Sequence, residues 1–354
     1  MKLLSLLPLF FFSSLLLLPL CHAETQTSQV DFGIYYYLWY GQGLGSQHWN
    51  DTISNTVIDT PALGFYPSND SDVMRQHLYS IKNAGFTFII LSVWDMHNYT
   101  YNNSQLFMQT LQNSQYDLKT CVLIEPFNGT SSYDWPMILN SVYDNLYAPY
   151  GHLIYTLNNK FLLLVLEQCF ENYDYGNATI NLPQDDRFTF RIVGSHQGQS
   201  DWFYGDVMNK VEEDDDLSGR INRDGHINIF PRFDESHLGR STQAQIDVTY
   251  GKRLYQRFWN LTYEQYKLGN VHIVTVASWN EYHERSAIEP HGDPTSCWPT
   301  DTTKLLEITK TNIAAFRLMQ DTQNNIQSMS FLLPSIIALC MLAIAIGLVK
   351  YYVV

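Results

Sequence analysis

The sequence predicts an α/β protein, a (β/α)8 TIM barrel, and three observations carry that reading. Eight short runs of apolar and β-branched residues recur along the chain, mostly separated by stretches of helical period. Several of these runs are apolar at nearly every position, as strands covered on both faces must be. Polar and aromatic residues collect where the runs end, at Trp39-Tyr40, Trp94-Asp95, Glu125-Pro126 and Asn280-Glu281, and a barrel places its chemistry at the C-terminal ends of its strands. A doubly wound open sheet is the competing arrangement of the same elements.

Residues 34–40 (IYYYLWY) form the first predicted strand, followed by a polar loop with Gly41, Gly43, Gly45, His48 and Trp49 that runs to Asp70. Asp70-Ser71 can cap a helix over 73–83, since a short side-chain oxygen accepts from the unpaired N–H groups of a first turn. Val73, Leu78 and Ile81 belong to its apolar stripe, and Gly85 ends it. Residues 86–94 (FTFIILSVW) are the second strand, 103–114 a helix, 118–127 (LKTCVLIEPF) the third strand, 135–147 helical, and 161–169 (FLLLVLEQC) the fourth strand.

The second half is less regular. Residues 188–194 read as a fifth strand, 202–204 as a short sixth and 227–233 as a seventh. The acidic run 212–216 (EEDDD) between the last two reads as a solvated loop, with calcium binding as the alternative. Residues 252–268 follow as a helix with Leu254, Phe258, Leu261 and Tyr266 on one side; 271–279 is the eighth strand and 305–319 a closing helix.

Both ends of the chain are hydrophobic. Residues 1–23 join Lys2 to a long Leu/Phe core and the small-residue end Cys21-His22-Ala23, the pattern of a cleaved signal peptide. The folded domain then covers 24–320 and a polar linker 321–330. Residues 331–349 are apolar over about one bilayer crossing, and Lys350 opens a short cytoplasmic tail, 350–354. The expected arrangement is a membrane protein held by a C-terminal transmembrane helix, its main domain lumenal or extracellular. A glycolipid-anchor signal with 321–330 as spacer is the alternative. Asn-x-Ser/Thr sequons at Asn50, Asn69, Asn98, Asn102, Asn128, Asn177 and Asn260 point to a glycoprotein of the secretory pathway, in the ER, the Golgi or at the cell surface.

Composition excludes several classes. A net charge of -14 and a pI near 5.1 argue against nucleic acid, whose phosphates call for a basic footprint. Outside the two hydrophobic ends only Cys121, Cys169 and Cys297 remain, so at most one internal disulfide can form. No Cys-x-x-Cys and no His-Glu-x-x-His occurs, and no metal site is expected. No Gly-rich phosphate loop follows a strand, so no cofactor is expected either. Aromatic residues make up 14% of the chain, including 24 Tyr and 8 Trp, and exposed aromatic faces stack on sugar rings as well as fill cores.

The densest chemistry lies in residues 271–290, VHIVTVASWNEYHERSAIEP. A buried-type strand runs into Asn280, and just beyond it stand Glu281 and Glu284 with His283 between them. In a tight turn that spacing brings two carboxyl groups together, about the reach needed to work on one glycosidic bond. Alone, the pair could be a solvated acidic turn; Trp279, Tyr282 and His283 crowding it favour a sugar site. His196, in a loop after the fifth strand, reads as incidental.

These residues carry a resemblance. YYLWYG at 36–41, His48-Trp49, LGFYPSND at 63–70, SVW at 92–94, IEPF at 124–127 and WNEYHERSAIEP at 279–290 resemble, in order, the motifs of glycoside hydrolase family 99, the endo-α-1,2-mannosidases. The resemblance covers roughly 31–290 and is weakest over 168–250. It implies a metal-free retaining hydrolase that cuts inside mannose-containing glycans. Glu281 would act as base on the sugar's own 2-hydroxyl, and Glu284 as general acid on the departing oxygen, then as base toward water. Glu125 would lie on the floor of the sugar site, with Tyr37, Tyr66, Trp94, Tyr282 and His283 lining it. The chain departs from the family pattern at Tyr282, usually Trp, and at Arg285-Ser286, usually Gly-Thr. A guanidinium beside Glu284 would weaken it as an acid unless it points away or pairs with Glu289. An inactive, membrane-anchored glycan-binding relative is therefore the alternative expectation.

Overall fold

The computed structural model describes residues 29–42, 48–51, 55–94, 96, 99–126, 133–170, 183–194, 200–203, 221–234, 236–238, 245–246, 253–293 and 302–353. Eight parallel strands form the path of one curled sheet: β1 (Asp31–Tyr37), β2 (Phe88–Val93), β3 (Lys119–Ile124), β4 (Lys160–Leu166), β5 (Phe188–Gly194), β6 (Trp202–Phe203), β7 (His226–Ile229) and β8 (Ile273–Val276), with a two-residue strand, Thr156–Leu157, paired antiparallel to β4 off that path. Their spatial order is β6-β5-β4-β3-β2-β1-β8-β7, every neighbouring pair being parallel. This is the neighbour order of a barrel, and the architecture is a half-barrel sheet consistent with the expected TIM fold. Between its two end strands the Trp202 and His226 rings stack at 4.1 Å, and Arg191 of β5 donates to Asp224 ahead of β7 at 2.5 and 2.8 Å.

Strand β2 is buried at every position because helices cover its outer side and packed side chains fill the inner one. Gly33 is needed for that filling: the Phe88 ring lies where a Cβ at 33 would stand, 2.3 Å from its nearest carbon. Helix α1 (Ser71–Ala84) starts as the sequence predicts, with the Asp70 side chain accepting from the N–H groups of Asp72 and Val73, and ends at Gly85 in the left-handed region at φ 95°. Helices α2 (Tyr99–Ser114), α3 (Trp135–Val142) and α4 (Arg253–Lys267) follow at their expected places. Helix α5 (Lys304–Val353) closes the chain; its Phe316 packs edge-on against Phe32 of β1 at 5.5 Å, and Arg317 donates to the Val30 carbonyl at 2.9 Å.

Two expectations need correction. The first strand runs 31–37 rather than 34–40, because its early residues pair with β8 from Asp31↔Ile273 to Ile34↔Val276. The expected crossing at 331–349 is not found: among the described residues no helix is long and apolar enough to cross a membrane. Cys121 and Cys169 are free, buried thiols. The expected signal segment 1–23, His196, the acidic run 212–216 and Cys297 lie outside the described residues.

Candidate active site

The C-terminal end of β8 turns over at Asn280–Ser286, and hydrogen bonds fix the turn at every step. Asn280 clamps it to β1: its Oδ1 accepts from the Tyr37 N–H at 2.8 Å, and its Nδ2 donates to the Tyr37 carbonyl at 2.9 Å. The Tyr40 hydroxyl donates to the Asn280 carbonyl at 2.7 Å and accepts from the Tyr282 N–H at 3.1 Å. The Glu281 N–H donates to Ser278 Oγ, and Glu281 Oε1 accepts from the N–H groups of His283 (2.8 Å) and Glu284 (3.4 Å). A carboxylate so held has one orientation. Glu281 is buried, while Glu284, three residues on, is half-buried.

Glu125 reaches the same region from the end of β3. Ser92 Oγ donates to its Oε1 at 2.9 Å, and Trp94 Nε1 donates to that same Oγ at 3.1 Å. Burial pushes the Glu125 carboxyl up to about 8, the Ser92 hydrogen bond opposing and the charge of Glu284 adding to the rise. At neutral pH Glu125 therefore holds a proton, and it lies close enough to Glu284 to sense its charge. Glu125 and Glu284 thus share one neighbourhood, and Glu281 is held three residues before Glu284 in the same turn.

An aromatic wall flanks them. Trp39 lies 4.7 Å from Tyr37, 5.5 Å from Trp94 and 4.8 Å from His48, stacked on the last; all four rings are half-buried. His283 Nε2 sits 2.6 Å from the His48 carbonyl, so that nitrogen carries the proton and ties the loop to the turn. Trp39 does not figure among the site residues expected from sequence; its place directly after a strand was the available signal.

The structure thus brings Glu125, Tyr37, Trp94 and His283 to the neighbourhood of Glu281 and Glu284, while Tyr66 and Tyr282 are buried against the turn itself. These two are 4% and 0% exposed, packed with Tyr40 and Trp49 behind the turn. The Tyr66 hydroxyl donates to Glu289 Oε2 at 2.6 Å, while Glu289 Oε1 lies 3.1 Å from His77 Nε2 and His77 Nδ1 lies 2.7 Å from the Tyr36 hydroxyl. His77 was legible as unusual, since it falls on the buried stripe of α1 beside Val73 and Ile81.

Arg285 points away from Glu284 and pairs with aspartates instead of Glu289. Its guanidinium donates to Asp59 (3.0 and 3.2 Å), Asp234 (3.2 Å) and Asp293 (2.8 Å). Its φ of 52° lies in the left-handed region, which costs an ordinary residue about 1 kcal/mol and glycine almost nothing.

Strand ends that carry acids beside an aromatic wall, on a curled parallel sheet, define an α/β protein of the barrel type with its chemistry at the C-terminal face. Solved structures similar to it in fold are more specific. The glycoside hydrolase family 99 endo-alpha-mannosidase of Bacteroides thetaiotaomicron, in complex with bis-tris-propane, is similar over 83% of this chain and 100% of its own, with a TM-score of 0.62 and 18% identity. A second structure of that enzyme matches at 0.61 and 17% identity over 82% and 98%. A glycoside hydrolase-like protein matches at 0.51 and 13% over 81% and 94%. No protein-family model and no curated protein matches the sequence. In fold the chain is similar to these enzymes.

Proposed function

We propose that the protein is a retaining glycoside hydrolase that cuts internal α-mannosidic linkages of glycans through the sugar's own 2-hydroxyl. One observation carries the reading: the β8 turn fixes Glu281 and presents Glu284 beside a protonated Glu125, against the Tyr37–Trp39–Trp94 wall. The likeness in fold to endo-alpha-mannosidases supports it.

In this reading Glu281, whose orientation is fixed by two N–H donors, takes the proton of the 2-hydroxyl as that oxygen attacks the anomeric carbon. Glu284 protonates the departing oxygen, and a 1,2-anhydro sugar results. Water, deprotonated by Glu284, then opens that ring, and Glu281 returns its proton to the 2-oxygen. Glu125, neutral near pH 7, donates a hydrogen bond to a sugar oxygen without adding a third negative charge. The aromatic wall stacks on sugar faces, and His283 holds the turn rather than the substrate.

The test is hydrolysis of a panel of α-mannosides and N-glycans by the full chain beside Glu281→Gln and Glu284→Gln. Internal cleavage lost in both variants establishes the hydrolase and its linkage. Binding of a glycan without cleavage replaces it with the glycan-binding reading.

A further inference from the structure

Against the turn lies a buried cluster of charge drawn from four separate segments. Arg232 donates to Asp59 at 2.6 Å, to Asp293, and toward His291 Nε2 at 2.6 Å. Arg285 donates to the same Asp59 and Asp293 and to Asp234. All five charged side chains are at most 12% exposed. A short ladder, His291↔Pro61 and Gly292↔Thr60, sets Asp59 and Asp293 side by side. Burial and the charge of Arg232 hold His291 below its ordinary range, so it stays neutral. Two cations then face three anions.

Such a cluster is a poor way to gain stability, because desolvating the charges consumes most of their attraction, and apolar packing of the same volume often does as well. What it supplies is direction. Asp234 shows this most clearly: its side chain accepts from Arg285 while its N–H donates to the Glu284 carbonyl at 2.8 Å. The residue on either side of the Glu284–Arg285 peptide is thereby held by one aspartate. Arg285 keeps a backbone conformation that favours glycine, and the acids that receive its fork offset that strain.

We infer that Arg285 is a positioning residue for Glu284: anchored on Asp59, Asp234 and Asp293, it fixes the backbone from which Glu284 reaches the sugar. This rests on the hydrolase reading for its kinetic consequences but not for its geometry. If Arg285 were only tolerated at its position, glycine there would relieve the backbone and leave activity intact. If it positions Glu284, Arg285→Gly lowers kcat on the order of 100-fold, the cost of a displacement near 1 Å, with KM within about twofold.

The experiment compares the full chain with R285G, R285K and the double variant R285G/D59N by kinetics, melting and crystal structure. R285K keeps the charge without the planar fork, and kcat is expected between wild type and R285G. The double variant returns the cluster to its original excess of one negative charge, so Tm is expected to recover while kcat stays low. Recovery of kcat together with Tm, or wild-type kcat in R285G, overturns the inference. If wild type cuts no glycan, the hydrolase reading fails by itself, and the structures decide: Glu284 displaced in R285K and the double variant upholds the inference, and Glu284 in its wild-type place overturns it. Should R285G alone not fold, the other two variants carry the same comparison.

Discussion

Two stretches of the same sheet are held together in different ways. From β3 through β2 and β1 to β8 the strands share continuous parallel ladders, and side-chain clamps extend the pairing past the strand ends, as Asn280 does with Tyr37. At the other side, β6 and β7 meet through the Trp202–His226 stack and the Arg191–Asp224 fork, and among the described residues no ladder joins them. Every residue of the candidate site comes from the laddered stretch. Positional accuracy is built where backbone pairing leaves least freedom, and the seam only has to hold.

The comparison can be broken by asking whether chemistry and stability separate. Glu284→Gln should lower kcat by about 10³-fold with melting unchanged, since the residue is half-buried. Trp202→Ala should do the reverse: loss of a fully buried indole costs about 3–5 kcal/mol, read in a urea titration, while kcat per folded molecule stays at the wild-type value. A proportional fall in kcat would show the seam coupled to the site. Asn280→Ala lies between, removing both hydrogen bonds to Tyr37 at a cost of about 2–3 kcal/mol and lowering kcat as well.

The smallest effects sharpen the contrast through pH. Burial pushes His226 at the seam down to about 3 from 6.5, with Asp224 opposing. The unfolded chain then binds a proton that the folded chain does not, and stability falls as pH drops from about 6.5 toward 3. Glu125 at the site is raised from 4.5 to about 8, so its contribution is present at acid pH and is lost as pH rises through that interval. Melting followed across pH should show His226→Gln flattening the acid limb alone and Glu125→Gln the alkaline limb alone. A variant that moves both limbs would mean the two regions titrate together.

Much of this was legible in the sequence, for identifiable reasons. Strand number and neighbour order follow from apolar runs that local spacing separates, and helix α1 from its capping aspartate and final glycine. Strand β1 was misplaced because Asp31 and Gly33 interrupt its apolar run, although Gly33 is there to admit the Phe88 ring. Glu281, Glu284 and Glu125 were readable because each stands where a strand stops. Tyr66 and Tyr282 show the limit of a motif, which does not tell whether a tyrosine lines a cleft or is buried on a carboxylate, as Tyr66 is on Glu289. The cluster behind the turn left no local sign at all: Arg232 and Asp59 are 173 residues apart, and only the finished fold brings them together.

The Asn280–Tyr37 clamp joins residues 243 positions apart, and so decides when in the life of the chain the site comes into being. Contacts of such separation carry a large loop-closure cost and form slowly. A ribosome-bound chain that has exposed β1 to β4 already owns Tyr37, Trp94 and Glu125, yet has no partner for the open edge of β1. Glu281 and Glu284 join Glu125 only after β8 has emerged and docked, so late protection of the Tyr37 amide from exchange during refolding would mark the assembly of the candidate site.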